Sequence, residues 1–144
     1  MILRSEEETA AAGAALARVA TGGDVITLSG PLGVGKTALA RGFIAALGHD
    51  GEVPSPSFAI VQPYEDVDPP VWHVDLYRVE DLSEIEELGL DAAADAILLV
   101  EWPDRAGGQA WPNALHLSLE FGRDGARILT AKVPPSWEGR CPLQ

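Results

Sequence analysis

The hydrophobic positions of this chain change period several times, and each change marks an element. Ser5, with Glu8 three residues on, forms an S-x-x-E capping box. It predicts a helix continued by the alanine-rich stretch 9–20 and stopped by Thr21, Gly22, Gly23 and Asp24. The apolar run 25–30 predicts a short buried strand that ends in a glycine-rich loop. Helical spacing returns over 36–47, with Gly48 placed as the C-terminal cap. Segment 52–58, stiffened by Pro54 and Pro56, predicts a loop feeding an extended stretch over 58–64.

Alternation over 71–78 predicts a strand, and 80–89 a short acidic helix with Leu82, Ile85 and Leu88 on one side. The unbroken apolar run 96–102 has the character of a strand covered on both faces. Segments 115–121 and 126–133 flank Gly122, Arg123, Asp124 and Gly125, a hairpin signal. Neither an internal repeat nor a low-complexity linker interrupts the pattern. It predicts one α/β domain over residues 1–134, with a mostly parallel central sheet flanked by helices and a C-terminal β-hairpin. The proline-rich residues 135–144 are expected to form a flexible tail.

Composition narrows the function classes. At 144 residues and 47% hydrophobic, the chain can bury a core. Ten basic residues against 22 acidic ones leave a net charge of −12, and the basic residues are spread thinly. A protein that grips nucleic acid unaided needs a basic patch to neutralise phosphates, so tight unaided binding of RNA or DNA is not expected. Cys141 is the single cysteine, which excludes an internal disulfide and fits a reducing compartment. The first ten residues lack an apolar signal core, and no segment reaches the ~18 apolar residues of a membrane span. A cytoplasmic protein without a membrane role is expected.

Gly30, Gly35, Lys36 and Thr37 satisfy G-x-x-x-x-G-K-[ST], between a predicted strand and a predicted helix. The glycines allow backbone N–H groups to point at phosphate oxygens, and the helix adds its positive end. Gly30, Leu32, Gly33, Val34, Gly35, Lys36, Thr37 and Ala38 are therefore candidate phosphate-binding positions. Lys36 would reach the β- and γ-phosphates and the Thr37 hydroxyl would bind Mg²⁺. This is a P-loop, and the domain is expected to be P-loop NTPase-like.

Hydrolysis or transfer also needs an acid for the metal and a group that orients the nucleophile. Glu101 follows four apolar residues, the Walker B pattern, and Asp75 ends the 71–75 strand. If both strands lie parallel beside 25–30, both carboxylates emerge where the phosphates sit. Thr37, Glu101 and Asp75 are the candidate metal ligands, and Asp75 and Glu101 the candidate catalytic acids. Which of the two holds Mg²⁺ and which orients water is left open by the pattern. Ser55 and Ser57 sit in a proline-stiffened loop that could fold over the γ-phosphate as a switch. His73 alternates in phase with Asp75, and a structural role is favoured for it. Tyr77, Arg78 and Trp102 flank the acids, with packing at strand ends the simpler reading.

The order GPLGVGKTALARG, PSPSF, HVDLYR, ELGLDA, LLVEWPDR resembles the TsaE (YjeE) family of bacterial P-loop ATPases serving tRNA threonylcarbamoyladenosine modification. The resemblance implies ATP and Mg²⁺ at Gly33, Gly35, Lys36 and Thr37, and Ser57 as a switch-like catalytic hydroxyl. It implies that Asp75 and Glu101 are the essential acids and places Trp102 beside the nucleotide. It further implies a TsaB–TsaD-like partner complex that handles the tRNA. Pro31 departs from the pattern, where an acidic residue is more usual. No obvious arginine finger stands near the acids, so hydrolysis is expected to be slow until a partner accelerates it. The acidic helix over 80–87 is a candidate docking surface for a basic partner, with an ordinary solvated face the competing reading. A small-molecule kinase and a non-catalytic nucleotide-dependent scaffold remain the competing functions.

Overall fold

The computed structural model describes residues 1–56, 60–107 and 110–143. In chain order the elements are β1 (Ile2–Leu3), α1 (Glu6–Ala17), β2 (Val25–Ser29), α2 (Lys36–Ala46) and β3 (Val61–Tyr64). They continue with β4 (Val71–Asp75), α3 (Leu82–Glu87), β5 (Ile97–Glu101), β6 (Leu115–Phe121) and β7 (Arg127–Lys132). The seven strands form one sheet in the order β1-β7-β6-β2-β5-β4-β3. Its centre, β6-β2-β5-β4, is parallel, and the pairings at either side are antiparallel.

The expected α/β domain is therefore present, and its predicted elements agree with the structure to within a few residues. Ser5 caps α1 by accepting from the Glu8 amide at 3.1 Å, while the Glu8 side chain accepts from the Arg4 amide. The expected C-terminal hairpin is present as β6 and β7, and β6 also pairs with β2 through Leu115–Ser118, so the hairpin is part of the main sheet. Two-residue β1, too short for a periodicity signal, pairs with β7 at the edge.

Two apolar layers cover the sheet. On one face Ile26, Leu28, Ile97, Leu99, Leu115 and Leu117 pack under Leu16 of α1 and Leu39, Phe43 and Ile44 of α2. On the other, Val74, Leu98 and Val100 pack with Val79 and Ala93 and with half-buried Ile85 and Leu88. Leu82, expected on the same side as Ile85 and Leu88, is 58% exposed. β5 is buried at all five positions, which explains its unbroken apolar run.

Helices α1 and α2 meet backbone to backbone. A Cβ on Gly13 would lie 2.1 Å from the Leu39 carbonyl oxygen, and one on Gly42 2.0 Å from that of Ala10. The two glycines notch the helices into each other and set the height at which α2 lies over the sheet.

Residues 135–143 are anchored to the core, which corrects the expectation of a flexible tail. Pro135 starts a 3₁₀ turn that inserts Trp137, 1% exposed, into the main core, and Leu143 is buried there as well. Arg140 lies 3.9 Å from the Trp137 ring. It donates to both carboxylate oxygens of Asp24 at 2.8 Å and to the Val19 carbonyl at 2.9 Å. Proline-rich composition suggested looseness, but one large buried ring and a forked ion pair outweigh it.

Gly42→Ala should lower stability by about 1–3 kcal/mol in urea denaturation, despite alanine's better helix propensity, because the added methyl forces the helices apart. Trp137→Ala should cost about 3–5 kcal/mol by the same measurement. An unchanged midpoint would contradict either packing assignment.

Candidate functional site

The loop after β2 is held by its own lysine. Lys36 Nζ donates to the Pro31 carbonyl at 3.0 Å and also to that of Gly30, and it lies 4.1 Å from the centre of the Trp102 ring. Gly33 and Gly35 have φ of 76° and 117°, the left-handed region that favours glycine. The two long helices differ at their starts. α1 has a serine cap and three glutamates in its first turn; α2 begins at Gly35 with no side-chain cap and no acid. Its first amides are left for a ligand at the positive end of the helix, and an anion fits there.

A cavity of about 460 Å³ opens over this loop. Leu32, Gly33, Val34, Gly35, Lys36, Thr37 and Ala38 line it, together with Asp75, Glu101 and Trp102. Gly30 does not. Its glycine answers to packing, since a Cβ there would lie 2.5 Å from the Leu119 carbonyl oxygen of β6. Ser55 lines the cavity; Ser57 lies outside the described residues.

The sheet brings the two acids together. β5 runs parallel beside β2 with Leu28 opposite Glu101, and β4 runs parallel beside β5 with Asp75 opposite Glu101. Both carboxylates are buried, at 5% and 3% exposure, beside the loop. Thr37 Oγ1 donates to the Glu101 carboxylate at 3.1 Å to Oε2 and 3.3 Å to Oε1. Asp75 Oδ1 accepts from the Tyr77 amide at 2.9 Å. Burial raises the Asp75 pKa above the ordinary carboxylate value; the Tyr77 amide opposes the rise and the Glu101 charge adds to it. Burial lowers the Lys36 pKa, against the pull of Glu101, Asp75 and Asp104.

Trp102 follows Glu101 with φ 59° and ψ 50°, an uncommon conformation for a bulky residue. Its amide donates to the Leu28 carbonyl at 3.2 Å, and its ring lies 4.8 Å from that of Tyr77. The turn carries the indole back over Lys36.

Several lining residues escaped the sequence reading. Leu3, Ser5, Glu6 and Thr9 reach the cavity from the start of the chain, and Gly125 and Arg127 from the hairpin. Arg127 Nε donates to the Val34 carbonyl of the loop at 3.0 Å, across 93 positions of sequence. Only the β6–β2 pairing makes this contact, and no local motif announces it. His73, read as structural, has its Nε2 2.7 Å from Glu101 Oε2; its phase with Asp75 was the available signal.

Among the described residues no group of three His, Cys, Asp or Glu side chains forms a metal cage of its own. Mg²⁺ needs none, because it is commonly held by one or two carboxylates together with substrate phosphates. A threonine hydroxyl against a buried carboxylate, with a second carboxylate alongside, fits such an ion. No helix among the described residues is long and apolar enough to cross a membrane.

Residues 3–129 match the family model described as threonylcarbamoyl adenosine biosynthesis protein TsaE. The chain is 40% identical over 126 residues to the tRNA threonylcarbamoyladenosine biosynthesis protein TsaE of Bacillus subtilis, covering 86% of this chain and 78% of that one. It is also 40% identical over 112 residues to the protein of the same name from Streptomyces coelicolor, covering 75% and 76%. The crystal structure of Bacillus subtilis YdiB matches with a TM-score of 0.81 and 32% identity, covering 98% of this chain and 89% of that one. A P-loop joined to two strand-end acids, within a match that spans nearly the whole fold, identifies this chain as a member of the TsaE family.

Proposed function

We propose that this protein is a Mg²⁺-dependent ATPase that serves tRNA threonylcarbamoyladenosine biosynthesis. The observation that carries the reading is the contact of Thr37 Oγ1 with Glu101 beside Asp75, at the mouth of a P-loop. The loop amides and Lys36 would bind the phosphates. Thr37 and the neighbouring carboxylates would complete a Mg²⁺ site, the ion supplying neutralisation of phosphate charge when bound. Glu101, already on the Thr37 hydroxyl, suits the metal; Asp75, held by the Tyr77 amide, suits orientation of the attacking water. Trp102 would shield the phosphates from bulk water.

Slow turnover in isolation, with acceleration by a TsaB–TsaD-like complex, is supported by the placement of the cations. Among the described cavity-lining residues the arginines are Arg41 and Arg127, and each commits its Nε to a backbone carbonyl, of Val53 and Val34. Neither is poised to stabilise a departing phosphoryl group, a role worth about 10³–10⁵ in rate. The net charge of −12 leaves tRNA binding to that partner complex. A kinase reading has less support, because β6 and β7, which follow the acids, are built into the sheet instead of forming a lid.

Phosphate release from labelled ATP should be slow for the isolated chain and rise when TsaB- and TsaD-type proteins from the same cell are added. Glu101→Gln should lower the stimulated rate by about 10² or more. Rates unmoved by that substitution, or label recovered on a small-molecule acceptor, would overturn the reading.

The raised Asp75 pKa carries a stability consequence of known sign. A carboxyl whose folded pKa exceeds its unfolded value is penalised while ionised, and the penalty disappears as pH falls through the folded value. At neutral pH, Asp75→Asn should therefore raise the melting temperature of the nucleotide-free protein. The advantage over the natural chain should shrink on acidification through the carboxylate range. A lowered melting temperature at neutral pH would contradict the assignment.

A further inference from the structure

His73 is fully buried, at 0% exposure, on the central sheet, and the reaction outlined above makes no use of it. On β4 it stands opposite Leu99 of β5 and Gln62 of β3. Glu101 lies two residues beyond Leu99 on the same face, so the imidazole and the carboxylate are diagonal neighbours on one side of the sheet. The gap closes at 2.7 Å between Nε2 and Glu101 Oε2. An ionised carboxylate only accepts, so Nε2 carries the hydrogen.

Packing alone does not account for an imidazole here. Its second nitrogen, Nδ1, is buried with no hydrogen-bonding partner among the described residues, which is an unfavourable arrangement. Val71 and Leu99 occupy the surrounding positions of the same face, where a leucine would avoid that cost. The bond to Glu101 is what the histidine provides. Asp75 is held differently, by the Tyr77 backbone amide, whereas Glu101 has the Thr37 hydroxyl and one further donor. That further donor is the His73 side chain.

We propose that His73 is a positioning residue for the metal end of this site. Its Nε2–H fixes one carboxylate oxygen of Glu101 and so turns the carboxylate toward the Thr37 hydroxyl. Without it, the side-chain donor left on Glu101 among the described residues is Thr37, whose hydroxyl the metal itself requires, and the Lys36 ammonium is close enough to attract the charge. The inference rests on the Mg²⁺-nucleotide reading given above.

Three variants separate positioning from packing. Leucine at 73 keeps the volume apolar; asparagine keeps a buried amide too short to reach Oε2; glutamine places an amide nitrogen near the position of Nε2. Binding of a fluorescent ATP analogue is measured in EDTA, and then as a function of added Mg²⁺, with thermal unfolding alongside. In EDTA all three variants should bind as the natural chain does, because the loop amides and Lys36 are untouched. His73→Leu and His73→Asn should need about 10–100-fold more Mg²⁺ for half-maximal enhancement, the usual effect of removing a second partner from a metal ligand. His73→Gln should recover most of the loss.

Equal Mg²⁺ requirements for His73→Asn and His73→Gln would overturn the proposal, as would a natural Mg²⁺ requirement in His73→Leu. The asparagine–glutamine comparison still decides the matter if the leucine variant does not fold. Failure of the parent reading looks different: the natural chain itself would then show no enhancement of nucleotide binding by Mg²⁺.

Discussion

A carboxylate taken out of water must be given partners, and the structure is organised around how Glu101 receives them. It stands at the end of the most buried strand, 3% exposed, where solvent cannot serve it. One partner, Thr37, comes from the first turn of α2, and the other, His73, from the neighbouring strand. Both arrive only if β2, β5 and β4 lie parallel and in register, with Leu28, Glu101 and Asp75 level at their ends. The register of the sheet and the composition of the site are thus a single constraint. A slip of one residue in β5 would turn Glu101 to the opposite face.

The remaining architecture secures that alignment. α2 carries Lys36 and Thr37, and its height over the sheet is set by the close glycine contacts with α1. The loop between β2 and α2 is fastened at both ends. Lys36 holds the carbonyls of Gly30 and Pro31, and Arg127 of β7 holds that of Val34. The start of α2 stays uncapped, whereas α1 and α3 have side-chain caps. An open helix start, a fastened loop and two buried acids give up local stability for a place where charge can bind, a pattern common at functional sites.

The parts legible in the sequence were those whose signal is local. The P-loop announces itself because its glycines, lysine and threonine act within one turn of chain, and β5 because a strand covered on both faces must be apolar throughout. Asp75 and Glu101 could be named since strand-end acids follow their strands directly. What was not legible depends on contacts distant in sequence. The pairing of β6 with β2 brings Arg127 to the loop, and nothing near residue 127 encodes it. His73 looked like a core residue because burial and function coincide there. The C-terminal residues were misjudged from their prolines, when one tryptophan decided their packing. Ser57, expected as a switch-like hydroxyl, lies outside the described residues.

A triphosphate and its metal should lie between the α2 start and the two strand-end acids. Crystals grown with Mn²⁺ and a non-hydrolysable ATP analogue test this directly, because the anomalous signal of the ion locates it independently of the nucleotide. The ion should lie on the Thr37 hydroxyl and phosphate oxygens, with Glu101 and Asp75 facing it directly or through water. An ion bound elsewhere, or a triphosphate seated on the loop with both carboxylates turned away, would contradict it.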